Sequence, residues 1–144
     1  MLTDQILQRK GREVATVTPD TTVRTALERL RTANIGALVV SSDGRTLSGI
    51  VSERDIVRGL ADGPEVLDRA VAEIMQAEVH TCTGGDHVDH LMERMTEHRI
   101  RHLPVVDDDR ALVGIISIGD VVKSRVDELE TERSQLVDYI RTGR

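Results

Sequence analysis

Gly49-Ile50-Val51-Ser52-Glu53-Arg54-Asp55 and Gly114-Ile115-Ile116-Ser117-Ile118-Gly119-Asp120 are one motif written twice: glycine, two apolar residues, serine, two variable residues and aspartate. They lie 65 positions apart (114 − 49), and the same offset aligns residues 14–60 with residues 79–125 without a gap. Of these 47 pairs 17 are identical, among them Thr16/Thr81, Val23/Val88, Glu28/Glu93, Ile35/Ile100 and Leu38/Leu103, and others such as Val17/Cys82, Ala26/Leu91, Leu30/Met95, Val51/Ile116 and Ile56/Val121 exchange one apolar residue for another. An ungapped offset of this length marks two copies of one supersecondary unit with the same buried face. Two such halves pack about a pseudo-twofold axis, so the surfaces where they meet come in pairs and are where a ligand is sought.

Outward from the motif, each copy reads β-α-β-β-α. In the first, a short strand over 14–17 ends at Thr18-Pro19. A helix capped by Thr21 or Thr22 follows, with Val23, Ala26, Leu27, Leu30 and Ala33 on one face and Arg24, Glu28, Arg29 and Arg31 on the other. Strands over 37–40 and 47–51 flank the turn Ser42-Asp43-Gly44, whose Asp-Gly tolerates positive φ. A second helix begins near Ser52. The second copy repeats the order with strand 79–82, helix 88–98, strand 103–106, the acidic turn Asp107-Asp108-Asp109, strand 112–116 and a helix from Ser117. Thr3 is read as the cap of a short N-terminal helix. Residues 66–75, after the Asp62-Gly63-Pro64 break, are read as a helix playing the same part for the second copy. The last helix looks long, with Val122, Val126, Leu129, Leu136 and Ile140 in a stripe that Arg133 interrupts. The expected fold class is α+β: repeat 1 with its N-terminal helix over 1–65, repeat 2 with its linker helix over 66–126, and a C-terminal helical extension over 127–144.

At 144 residues the chain fits one globule that the repeat divides. Nineteen basic against 25 acidic residues give a net charge of −6, which disfavours polymeric nucleic acid. The single cysteine, Cys82, forms no internal disulfide, and neither a membrane span nor a signal peptide is visible, so the expected setting is cytoplasmic. With no Trp, no Phe and one Tyr, a flat base would lie between aliphatic side chains rather than on an aromatic platform.

In each motif a serine at the strand-to-helix junction caps the helix, and the free N–H groups of the first turn attract an anion such as phosphate. The aspartate three residues on lies on the same side, and its acceptor-only carboxylate suits the two adjacent hydroxyls of a ribose. The same spacing is also a capping box that needs no ligand. The motif alone leaves both readings open.

The motif pair, the Ile100-Arg101-His102-Leu103-Pro104-Val105-Val106-Asp107 segment and the Ser52-Glu53-Arg54-Asp55-Ile56-Val57 run resemble a tandem pair of cystathionine-β-synthase (CBS) domains, or Bateman module. The resemblance covers residues 2–129 and is nearest to the stand-alone bacterial type. It implies a regulatory module, not an enzyme, binding AMP first of all, or ADP, ATP, NAD(H) or S-adenosylmethionine, with no cofactor required, as a homodimer acting on an unidentified protein target. Carried over, Asp55 and Asp120 each hold a ribose, with Ser52 and Ser117 facing ribose or phosphate. The Asp120 cleft then draws on Ala15, Thr16, Val17, Gly36, Ala37 and Ile115, and the Asp55 cleft on His80, Thr81, Cys82, Arg101, His102 and Ile50. Two departures stand out: Val39 occupies the place where the family often has proline, and the variable residues are Glu53-Arg54 in one motif but Ile118-Gly119 in the other. Arg54 and Arg101 both reach toward a phosphate at the Asp55 cleft, whereas the second motif offers the backbone beside Gly119. Unequal affinities follow as an expectation, the Asp55 cleft favouring the more charged ligand. The bland reading of Arg54 is a solvated residue paired with Glu53 or Glu28.

The histidines His80, His87, His90, His98 and His102 all fall in the second half. Asp86-His87-Val88-Asp89-His90 has a spacing that chelates zinc or nickel on a helix, set against a plain helix start capped by Asp86; no metal is expected. Cys82 aligns with Val17 and reads as a small buried hydrophobe unless its thiol is exposed and acidic. Neither Ser52 nor Ser117 has the context of an activated nucleophile and Gly84-Gly85 is too short for a phosphate loop, so no catalytic residue is expected. The readings that compete with a nucleotide sensor are an interaction module with empty clefts, its function carried by the C-terminal helix, and a metal-dependent enzyme.

Overall fold

A computed structural model describes residues 1–143. In chain order the elements are α1 (Thr3–Lys10), β1 (Thr16–Val17), α2 (Val23–Ala33), β2 (Ala37–Val40), β3 (Gly49–Ser52), α3 (Glu53–Leu60), α4 (Val88–His98), β4 (His102–Val106), β5 (Leu112–Ser117) and α5 (Ile118–Thr142). One sheet has the order β1-β2-β3, with β1 parallel and β3 antiparallel to β2; the other is the antiparallel pair β4-β5. The two β-α-β-β-α repeats pack about a pseudo-twofold axis, and α5 is the expected long C-terminal helix.

The repeat extends to fine detail. Thr22 and His87 cap α2 and α4, which end at Asn34 and Arg99, both left-handed at φ 54°. Arg29 Nη1 donates to the Thr16 carbonyl at 2.9 Å, and its counterpart Arg94 donates to Thr81 at 2.8 Å. Val23, Ala26 and Leu30 fill the first core as their spacing requires, while Leu27 stays 39% exposed. Asp43 accepts from the N–H groups of Arg45 and Thr46, which hold its carboxyl well below the usual range, and Gly44 takes the positive φ of 80°.

One proline separates the copies. In the first, the Val39 N–H donates to Ala15 O, helping β1 form a parallel ladder. Pro104 stands in the equivalent place and has no N–H to give, so the strand expected over 79–82 reduces to a single bridge between Cys82 and Val105. The strand expected over 14–17 is likewise only Thr16–Val17.

Three further expectations are corrected. Residues 66–75 form two 3-10 turns, Pro64–Asp68 and Val71–Glu73, because the segment between them is drawn into pairing with the start of α2: Arg69 O accepts from Val23 N, and Val71 N donates to Thr21 O. Thr3 is not a cap; it is fully buried, and both its N–H and its hydroxyl donate to Asp86 O, while Gln5 Oε1 accepts from Leu2 N. Asp86 does not cap α4, since its carboxylate accepts from Thr83 N and pairs with Arg94.

The cores are cross-connected. Ile6 and Leu7 of α1, which precedes the first repeat, are buried in the core of the second with Leu91, Leu103 and Ile116. The linker residues Val66 and Val71 are buried in the core of the first with Leu38 and Val51. Each motif glycine makes room for this. A Cβ at Gly49 would lie 2.6 Å from Met75 Sδ and 2.9 Å from Gln76 O; one at Gly114 would lie 2.8 Å from Leu7 Cδ2.

Candidate functional site

Both serine–aspartate pairs close capping boxes. Ser52 N donates to Asp55 Oδ2 and Ser117 N to Asp120 Oδ2, each at 2.8 Å, while Asp55 N and Asp120 N donate back to the serine hydroxyls at 3.4 and 3.2 Å. The capping reading is therefore structurally true of both, and what distinguishes them is what reaches the rest of each carboxylate. Glu53 N and Ile118 N are taken by Gly36 O and Arg101 O, another repeated pair.

At Asp55 the carboxylate is covered. Gln76 exchanges two backbone hydrogen bonds with Ile50, at 3.0 and 2.8 Å, and its side-chain amide donates to Asp55 Oδ1 at 3.0 Å. The residue is 8% exposed and both oxygens are engaged. Arg54 does not pair with Glu53 or Glu28; its Nη1 donates to the carbonyl of Arg99 at 3.3 Å, across to the end of α4, and the Arg101 side chain is exposed nearby in sequence. His80 stacks on His98 with ring centroids 3.9 Å apart.

At Asp120 a cation has arrived instead. Lys10 Nζ donates to Asp120 Oδ2 at 2.7 Å and to Ile115 O at 2.9 Å. Burial pushes the Asp120 carboxyl up, but the hydrogen bonds from Lys10 and Ser117 outweigh it, and the net displacement is downward. Among the described residues, Oδ1 receives no hydrogen bond. Ile115, expected at this cleft, gives its carbonyl to Lys10, and Gly36 lies against His102. A Cβ on Gly36 would come within 3.3 Å of His102 Cε1, so the glycine of one copy leaves room for the imidazole of the other. His102 was expected at the Asp55 cleft, yet its charge environment is set by Lys10 and Asp120 before Arg101 and Glu53; burial, the largest influence, holds it below its ordinary value and so neutral at pH 7.

Val17 and Cys82 belong to the two cores, and burial raises the Cys82 thiol to about 12, which removes the redox reading. Ala37 is buried opposite Ser52 in the β2-β3 ladder, and Ala15 offers its carbonyl to Val39. Ser52, Ser117 and Ile50 lie on the strands that lead into the two helices, Gly119 in the first turn of α5. His87 and His90 do not converge: their rings meet edge to face at 6.4 Å, with His87 Nδ1 taken by Asp89 N and Nε2 by the N-terminal amine. Lys10 and Gln76 were missed because they lie upstream of the aligned stretches, where the offset pairs Lys10 with Met75 and Gly11 with Gln76 and no identity marks them.

The CBS-domain family model matches residues 9–62 and 71–127, and the chain belongs to that family. The mitochondrial CBS domain-containing protein CBSX3 of Arabidopsis thaliana is 39% identical over 131 residues, 88% of this chain; the chain spans 63% of that protein's length. The CBS domain pair of protein MJ0100, solved in complex with 5′-methylthioadenosine and S-adenosyl-L-methionine, is similar with a TM-score of 0.79 and 28% identity over 89% of this chain and 98% of that one. The CBS domain protein PAE2072 from Pyrobaculum aerophilum, complexed with AMP, is similar with a TM-score of 0.74 and 30% identity over 83% and 89%. Among the described residues no helix is long and apolar enough to cross a membrane.

Proposed function

We propose that this chain is a regulatory module that binds an adenosine-containing ligand in the clefts between its two CBS repeats and passes occupancy to a protein partner as a homodimer. The observation that carries the reading is Asp120: its Oδ2 accepts from Ser117 N and from Lys10 Nζ, while among the described residues Oδ1 receives no hydrogen bond. A ribose takes the carboxylate, and the displaced Lys10 ammonium turns to a phosphate. The solved relatives support the adenosine part, since AMP and S-adenosylmethionine share nothing else.

The two clefts differ in affinity. Asp55 must give up Gln76 before it accepts a hydroxyl, so the Asp120 cleft binds the monophosphate more tightly; Arg54 and Arg101 make the Asp55 cleft the better place for a longer phosphate chain. Binding shifts the module only as far as the ligand prefers one arrangement of the repeats over another.

A thermal-shift screen with AMP, ATP, NADH and S-adenosylmethionine tests the function, because a ligand at a hundred times its Kd stabilises the native state by about 2.7 kcal/mol. At least one raises the melting temperature, and Asp120→Ala removes most of the AMP response while Asp55→Ala keeps it. No response to any of the four defeats the proposal and favours the interaction module. Equal AMP affinities of the two variants by calorimetry defeat the inequality.

A further inference from the structure

Of the chain's 19 basic residues 17 are arginines and two are lysines, Lys10 and Lys123. Both lysines line one cavity of about 110 Å³ between α1 and α5, together with Arg9, Asp120, Ser124 and Asp127. In a protein of net charge −6, three cations against two carboxylates make this cavity locally positive. The three are not equally committed. Lys10 is held by Asp120 Oδ2 and Ile115 O, whereas Arg9 meets only Asp127, at 3.8 Å and with both side chains exposed. Lys123 has no hydrogen-bond or ion-pair partner among the described residues.

The repeat shows that the fold does not call for this charge. The 65-residue offset sets Arg9 and Lys10 against Ile74 and Met75 of the linker, which pack on the first core. Lys10 Nζ and Gln76 N donate to corresponding carbonyls, those of Ile115 and Ile50, so an ammonium in one copy does what a backbone amide does in the other. On its own side α1 already meets the second core through Ile6 and Leu7. Packing therefore accounts for where α1 lies and leaves the Arg9-Lys10 pair, with the unpartnered Lys123 on the same cavity, to a ligand.

We propose that Arg9, Lys10 and Lys123 form a phosphate pocket that makes the Asp120 cleft select nucleoside phosphates over nucleosides bearing no phosphate or a positive charge in its place; the inference rests on the ribose reading of Asp120. A phosphate monoester carries about −1.5 to −2 charges near neutral pH and offers three strong acceptor oxygens. Lysine ammoniums bind such a group as point charges, and their donors adapt to its orientation. When a ribose hydroxyl takes its place at Asp120, Lys10 remains at the cavity it already lines. Arg9 exchanges a long, exposed contact with Asp127, weak in water, for a charge-assisted hydrogen bond. S-adenosylmethionine brings a sulfonium where a nucleotide brings an anion, and the same three cations repel it.

Amine labelling of the full chain reads this pocket directly, because lysine occurs at no other position. AMP removes most of the reductive methylation of Lys10 and Lys123 seen by mass spectrometry, while adenosine leaves Lys123 as reactive as in the free protein. Inorganic phosphate at higher concentration protects both lysines as AMP does, which assigns the protection to the phosphate rather than the base. By calorimetry AMP binds about tenfold or more tightly than adenosine or S-adenosylmethionine, the scale of one hydrogen bond to a charged group, and Lys123→Met removes most of that preference. Equal reactivity of Lys123 with and without AMP, or equal affinities for AMP and adenosine, overturns the phosphate pocket. The ribose reading fails separately: Asp120→Ala then binds AMP as the wild type does with both lysines still protected, which leaves the pocket standing.

Discussion

Lys10 Nζ and Asp120 Oδ2, 110 residues apart in sequence, lie 2.7 Å apart and tie the end of the N-terminal helix to the first turn of the last one. The pair is partly exposed, at 31% and 22% of the two side chains, and so contributes about 0.5–1 kcal/mol. Because the folded-state value of Asp120 lies below 3.8, this stability is present above that pH and is lost as the pH falls through the depressed value. Lys10→Met removes it, and acid unfolding followed by circular dichroism begins at a higher pH than in the wild type.

His102, a base, loses stability in the same direction but in a higher pH window. Its folded-state value lies below 6.5, so the unfolded chain binds the extra proton and stability falls as the pH drops through 6.5 toward the lower folded value. Melting temperatures measured between pH 8 and pH 5.5 decline less in His102→Gln than in the wild type. Parallel slopes would show that the imidazole is not buried as described.

The motif glycines are not equivalent. Gly49→Ala drives a methyl against the Gln76 carbonyl as well as Met75, and backbone yields less than a side chain. Gly114→Ala meets only the flexible end of Leu7. Urea denaturation gives a loss of about 2–3 kcal/mol for the first and about 1 kcal/mol for the second, and Gly49→Ala also loosens Gln76 from Asp55.

Pro104→Val supplies the N–H that the second copy lacks. The new amide donates to His80 O as Val39 does to Ala15 O, and hydrogen exchange shows it protected to a similar degree. An unprotected amide at 104 would mean that something other than the missing donor keeps residues 79–81 out of the ladder.

Much of this was legible in the chain. The apolar spacing of α2 and α4, the Asp43-Gly44 turn and the two Ser-x-x-Asp junctions are local matters of period, turn chemistry and capping, and they lie where the residues place them. The helix expected over 66–75 was not legible, since its apolar residues suit a helix but Arg69 and Val71 are claimed by backbone groups of α2 nearly 50 positions earlier. Val17 and Cys82 aligned with a cleft by position, yet face the cores.

By itself, the 65-residue offset determined the duplicated unit, its order of elements and the two aspartates. Only the tertiary structure decided that α1 packs on the second repeat and the linker on the first, and therefore that Lys10 reaches Asp120 while Gln76 covers Asp55. Those contacts join segments outside the repeated stretch to residues inside it. They are set by which apolar faces remain uncovered once each half has folded, and that information is spread over the whole molecule rather than written at either partner.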